Sequence, residues 1–197
     1  MISMITPNDF KLNEIMDDSI FWSLRHVLKD AKKHVVPYLK KNKPNAEFQV
    51  GIYNETIIIG NNTGVKSGYE AVQYDNKIEE AIKKSVEDNW LFQRTLVKRV
   101  IIAKPVNYSE CYHAEMNIIR TVLQKIKDKA SGFEKNDGEL FIAGDKYPCT
   151  KCMEKIYTLN RDGIGIKILI PNYSLEYKGK KVFTQYDKNP VNWTDPL

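Results

Sequence analysis

One histidine and two cysteines are spaced as a metal ion would need them: His113-Ala114-Glu115, and further along Pro148-Cys149-Thr150-Lys151-Cys152. An imidazole and two thiolates can bind Zn2+ and leave its fourth position to water, the arrangement of catalytic rather than structural zinc. Such a zinc lowers the pKa of its water toward neutrality. Glu115 places a carboxylate beside the ligands, where it could take that proton and pass it to a substrate. The expected metal ligands are His113, Cys149 and Cys152, and the expected catalytic group is Glu115.

The spacing assigns these roles. Cys149 and Cys152 are three apart at the start of an expected helix, which puts both sulfurs on one helical face. The unpaired N–H groups and the dipole at that end favour thiolates, the form that binds metal. Pro148 suits a helix start, where its missing N–H would have no partner in any case. His113 opens a second helix. Glu115 follows it by two positions and so shares no face with it, which makes a fourth-ligand role poor and a place beside the water good.

Two other readings of the Cys pair stay open: a redox-active pair, or half of a four-ligand structural zinc knot. A knot would draw on Cys111, His26 or His34. His26 and His34 lie on the N-terminal helix and read as ordinary helix residues, and Cys111 reads as a buried thiol near the site.

The elements that must position these residues follow from periodicity. Phe21, Leu24, Leu28, Ala31 and Val35 recur at helical spacing up to Pro37. Phe48–Ile52 and Thr56–Gly60, joined by Tyr53-Asn54-Glu55, read as a β-hairpin ending in Asn61-Asn62-Thr63-Gly64. From 64 to about 110 the pattern is hard to read, with a helix expected over 78–96 and a strand at Val100-Ile101-Ile102. Tyr112–Lys129 is a helix with Met116, Ile119, Val122, Leu123 and Ile126 on its apolar face. Leu140–Ala143 is a strand, Thr150–Asn160 a helix and Ile166–Ile170 a strand. After the short link 171–175, Tyr177–Tyr186 is a candidate last strand. The order α-β-β-insert-α-β-α-β-β predicts a three-layer α/β/α domain around a mixed five-stranded sheet whose last pair is antiparallel.

The 197 residues suit a single domain spanning 1–197, with 64–110 as an insertion and 187–197 as a C-terminal tail. The apolar share of 42% allows a real core, and no apolar run reaches the ~18 residues of a membrane span. Negative mean hydropathy fits a soluble protein. Met1–Asp9 lacks a basic start followed by an apolar stretch, so no signal peptide is expected. Three cysteines, two of them spaced as ligands, fit a reducing compartment, so a cytoplasmic location is expected. The net charge of +5 fits either a solvated lysine surface or attraction to a polyanion.

The two motifs, in this order and each opening a helix, resemble the H-x-E and P-C-x-x-C signature of the cytidine deaminase superfamily. The resemblance extends over residues 20–186, with only the zinc motifs specific. Pro37-Tyr38, Phe48-Gln49-Val50-Gly51 and Gly60-Asn61-Asn62 are further similar to segments of free cytidine deaminases. That match implies a substrate-binding role for Asn62, although an Asn after a strand is equally at home as a turn former. Ala114 and Pro148, which flank zinc ligands, are the other candidate substrate contacts. The resemblance implies a hydrolytic deaminase in which Glu115 protonates the ring nitrogen and then the departing amine.

Three departures bear on the substrate. Gly64 stands where the family carries a ribose-binding Glu. Pro-Cys-Thr-Lys-Cys-Met-Glu replaces the Pro-Cys-Gly-x-Cys-Arg-Gln of nucleoside enzymes. Asn62 and His113 are much further apart than in that family. The short link after Ile170 is similar to nucleoside deaminases and bacterial toxin deaminases, whereas His-Ala-Glu-Met-Asn also resembles deoxycytidylate deaminases.

The leading expectation is conversion of cytosine to uracil in single-stranded DNA or RNA by a toxin-type enzyme. A toxin role implies action in a target cell's cytoplasm and a cognate immunity protein as partner. Trp90 and Phe92 could stack bases and Arg94, Lys98 and Arg99 could track phosphates, or the aromatics are core and the charges solvated. The alternatives are a free cytidine, deoxycytidine or deoxycytidylate deaminase, and a deaminase fold used only as a binding module. The carboxylate at Glu115 argues against the last, because structural zinc has no use for a proton carrier.

Overall fold

The β-branched runs at 48–61 and 99–102 and the helical periods around the two motifs assemble about one sheet. The computed structural model describes residues 20–29, 48–61, 80, 84, 99–103, 113–134, 137–144, 146–171, 176–177 and 180–181. Helix α1 covers 20–29. It is followed by β1 (Phe48–Tyr53), β2 (Thr56–Asn61), β3 (Arg99–Ile102), α2 (Ala114–Lys127), β4 (Glu139–Gly144), α3 (Thr150–Asp162), β5 (Lys167–Leu169), β6 (Glu176–Tyr177) and β7 (Lys180–Lys181).

Five strands form a mixed sheet in the order β3-β2-β1-β4-β5. The central strand β1 runs antiparallel to both neighbours, pairing Val50 with Ile59 on β2 and with Ala143 on β4. β3 is parallel to β2, and β5 is parallel to β4. The hairpin turn at Asn54 takes a positive φ of 50°, a conformation Asn accepts more readily than most residues. All six residues of β1 are buried. A strand buried along its whole length must be covered on both faces, and so it reads as continuous rather than alternating.

The α/β class and the mixed five-stranded sheet match the expectation from sequence; the membership of the sheet does not. The expected antiparallel last pair, Ile166–Ile170 with Tyr177–Tyr186, is not formed among the described residues: β5 pairs parallel with β4 at the sheet edge, and β6 and β7 form a two-stranded sheet of their own. Glu176 pairs with Lys181 and Tyr177 with Lys180, so β6 takes its ladder partner from the residues that follow it and not from β5. The fifth strand of the main sheet is instead β3, Arg-Val-Ile-Ile, contributed by the stretch read as an insertion.

Helix α2 packs across β1 and β2 with Met116, Ile118, Ile119 and Val122 buried. Two glycines on the sheet allow the close approach. A Cβ at Gly51 would stand 2.8 Å from Cγ2 of Ile118, and one at Gly60 would run into the Ala114 carbonyl. Phe21, Leu24, Val27 and Leu28 of α1, together with Met153, Ile156 and Leu159 of α3, complete the same core. Gly163 ends α3 in the left-handed conformation that glycine adopts without strain.

Asn62, Cys111, His34, Trp90, Phe92, Arg94, Lys98 and the tail 187–197 lie outside the described residues. Of the helix expected over 78–96, Glu80 and Lys84 are described, both helical and exposed.

Candidate metal centre

Each candidate metal-ligating motif sits at the start of a helix. His113 is the N-cap of α2 in an extended conformation (φ −70°, ψ 147°), and its carbonyl accepts from the Met116 and Asn117 N–H groups at 3.1 and 3.2 Å. Cys149 is the extended N-cap of α3 (φ −65°, ψ 164°), and its carbonyl accepts from the Met153 N–H at 2.9 Å. The His113 side chain makes no capping bond to its own helix. It faces the other motif instead: its Nδ1 is 3.5 Å from Cys149 Sγ.

The ligand atoms of His113, Cys149 and Cys152 all lie within 4.8 Å of one another. Sulfur and nitrogen ligands on a tetrahedral zinc, about 2.3 and 2.0 Å from the metal, stand about 3.5 Å apart. The observed separation of Cys149 Sγ and His113 Nδ1 is that edge of the tetrahedron. The donor set and its spacing therefore fit a metal ion, with zinc compatible. Among the described residues no second group of this kind occurs.

Glu115 lies beside the cluster. Its side chain is 1% exposed and Oε1 is 3.9 Å from His113 Nδ1. It also hydrogen-bonds the Cys152 thiol. A buried carboxylate at the edge of a metal cluster is placed to hold a proton there rather than to pair with bulk water. The arrangement is not that of a cysteine nucleophile activated by a His-Glu pair. Such a triad sets the carboxylate and the nucleophile on opposite ring nitrogens, whereas Cys149 and Glu115 both approach Nδ1.

The two thiols are electrostatically unlike. Cys149 is pulled down to about 4, first by the hydrogen bond from the Cys152 thiol and then by contact with His113, against the opposing effect of its own burial. The Cys152 N–H adds a smaller contribution in the same sense. Cys152 is fully buried and is pushed well up, first by that burial, then by its bond to Cys149 and by the Glu115 charge. One thiolate is thus ready and the other holds its proton until a cation replaces it.

The structure brings together His113, Cys149, Cys152 and Glu115. Ala114 is fully buried, with its carbonyl directed at Gly60, and Pro148 is buried beside Cys149. Arg99, one of the candidate phosphate contacts, is engaged elsewhere: Nη2 donates to Ser131 Oγ at 2.7 Å. It pairs with Thr56, at the opposite end of β2 from Gly60. His26 is an exposed residue of α1, apart from the metal cluster.

Sequence reasoning missed the supports under the site. Gln49 is buried in β1, and Gly60 and Gly144 flank it across the ladders. A polar residue inside an apolar strand and glycines within strands were the available signals. No protein-family model, curated protein or solved structure matches this chain, so the site's own geometry carries its reading.

Proposed function

We propose that this protein is a zinc-dependent hydrolytic deaminase that converts cytosine to uracil in single-stranded nucleic acid. The observation that carries the reading is the convergence of His113, Cys149 and Cys152 within 4.8 Å, with the buried Glu115 carboxylate at the cluster's edge. A central β1 antiparallel to both neighbours, with helices opening on each motif, supports a three-layer arrangement of the cytidine deaminase kind.

Bound zinc would supply an acidified water at neutral pH. Glu115 would take one proton from that water and deliver it to the pyrimidine ring nitrogen as the oxygen adds to C4, and would then carry the second proton, from the new C4 hydroxyl, to the amine, which leaves as ammonia when the C4–N bond breaks. His113, Cys149 and Cys152 fix the place of the reaction relative to that carboxylate. Gly64 in place of a ribose-gripping carboxylate, and a net charge of +5, favour a polynucleotide over a free nucleoside. A single strand suits a buried site because a paired base must first leave its stack.

The test is uracil formation by the zinc-loaded protein in DNA and RNA oligonucleotides, alongside cytidine, deoxycytidine and deoxycytidylate. Glu115→Gln should keep its zinc and lose at least ~100-fold in rate, the ordinary contribution of a positioned proton carrier. His113→Ala, Cys149→Ala and Cys152→Ala should lose zinc. Zinc retained in all three variants would sink the assignment. Turnover of the small substrates with none of the oligonucleotides would move the substrate to a free nucleoside or nucleotide.

A further inference from the structure

Three residues form a row across the sheet at the end that carries the metal centre. Gln49 on β1 is the direct partner of Gly60 on β2 and of Gly144 on β4. Directly paired residues present their side chains on the same face of a sheet, so Gln49 has a glycine on either side. The first turn of α2 fills the space over Gly60, where a Cβ would run into the Ala114 carbonyl. Gln49 itself fills the space over Gly144, where a Cβ would run into its amide. Laid over β4 in this way, Nε2 of Gln49 donates to the Lys146 carbonyl at 3.1 Å. Lys146 belongs to the connection that leads into Pro148 and Cys149.

A side-chain amide is costly to bury unless its hydrogen bonds are made. Gln49 is 1% exposed in a strand buried throughout. Arg25 of α1 adds a second hold on the same connection, donating from Nη1 to the Gly144 carbonyl at 3.1 Å.

We propose that Gln49 is a positioning residue of the metal centre: through the Lys146 carbonyl it fixes the connection that sets Cys149 opposite His113. The row Gly60–Gln49–Gly144 then registers both arms of the site on one sheet, the α2 arm by close approach and the α3 arm by a hydrogen bond. This inference rests on the metal centre and is independent of cytosine as the substrate.

The experiment compares the parent protein with Gln49→Met, Gly144→Ala and the double variant. Gln49→Met keeps the length and loses the donor. Gly144→Ala keeps the donor and dislodges it, since the three atoms nearest its methyl are the flexible end of Gln49. Zinc affinity is read by chelator competition, and ligand geometry by the thiolate-to-metal absorption of the Co2+ form. Each single variant should bind zinc roughly tenfold more weakly, as loss of an outer-shell partner does, with altered cobalt bands. The double variant should be no worse than the weaker single, because both changes remove the same hydrogen bond.

Unchanged affinity and cobalt bands in Gly144→Ala, or effects that add in the double variant, would overturn the proposal. A lower unfolding midpoint of the metal-free variants with parent-like cobalt bands would make Gln49 a packing residue and overturn it equally. If Gln49→Met does not fold, Gly144→Ala decides alone. A parent protein that takes up neither zinc nor cobalt would remove the metal centre itself, a result distinct from parent binding with unaffected variants.

Discussion

The two cysteines of the metal centre differ by one turn of helix and by opposite electrostatics. Cys149 stands at the helix start, takes a hydrogen bond from Cys152 and is held near 4. Cys152 is buried beneath it and pushed up by that burial. The sign of each shift fixes a proton count. At pH 7 Cys149 lies above its pKa and is a thiolate, while Cys152 lies below its own and is a thiol. Zinc uptake at pH 7 should therefore release one proton from the pair, not two. Calorimetry in buffers of different ionisation enthalpy reads that number, and two protons would show that Cys149 is an ordinary thiol. As pH falls through about 4, Cys149 takes up a proton too. The decline of zinc affinity should steepen there.

At the scale of elements, the site depends on how closely α2 can lie on the sheet. His113 and Glu115 open a helix whose first carbonyl lies against Gly60. The obstacle that a side chain would meet there is backbone, which cannot rotate aside. Gly60→Ala should consequently lift the first turn of α2, with a loss of about 1–3 kcal/mol typical of overpacking. Zinc affinity should fall as well, because His113 moves with that turn. Urea denaturation and chelator competition check the two effects. An unchanged affinity would mean that the helix start shifts without carrying its ligand.

Across the whole molecule, a metal bound at this site would join segments that are distant in sequence. Cys149 and His113 are 36 residues apart and belong to different helices on different strands' connections. Zinc held between them would bind the native state, where the three ligands are together, in preference to the unfolded chain. At free zinc a hundredfold above Kd, linkage adds about 2.7 kcal/mol to stability. Chelation should lower the thermal midpoint and added zinc should restore it, while Cys152→Ala should show no zinc-dependent rise. A midpoint indifferent to the chelator would show that the three ligands do not act together. No helix of the described residues is long and apolar enough to cross a membrane.

What could be read without a structure was whatever is written locally. The ligand types and their spacing are short-range, and so are the helix starts at His113 and Cys149 and the hairpin around Asn54. Their chemistry follows from i to i+3 neighbours and from turn residues. Tertiary structure alone decided the pairing of distant segments. Val100-Ile101-Ile102 reads as a strand, but its place beside β2 depends on contacts across the sheet. Tyr177–Tyr186 reads as one last strand beside Ile166–Ile170 until Glu176-Tyr177 and Lys180-Lys181 are seen to pair with each other. Gln49 reads as a polar residue out of place in an apolar run. Its use appears only when Gly60 and Gly144 are set on either side of it, because pairing between strands distant in sequence, unlike a helical period or a tight hairpin, leaves no local trace in the order of residues.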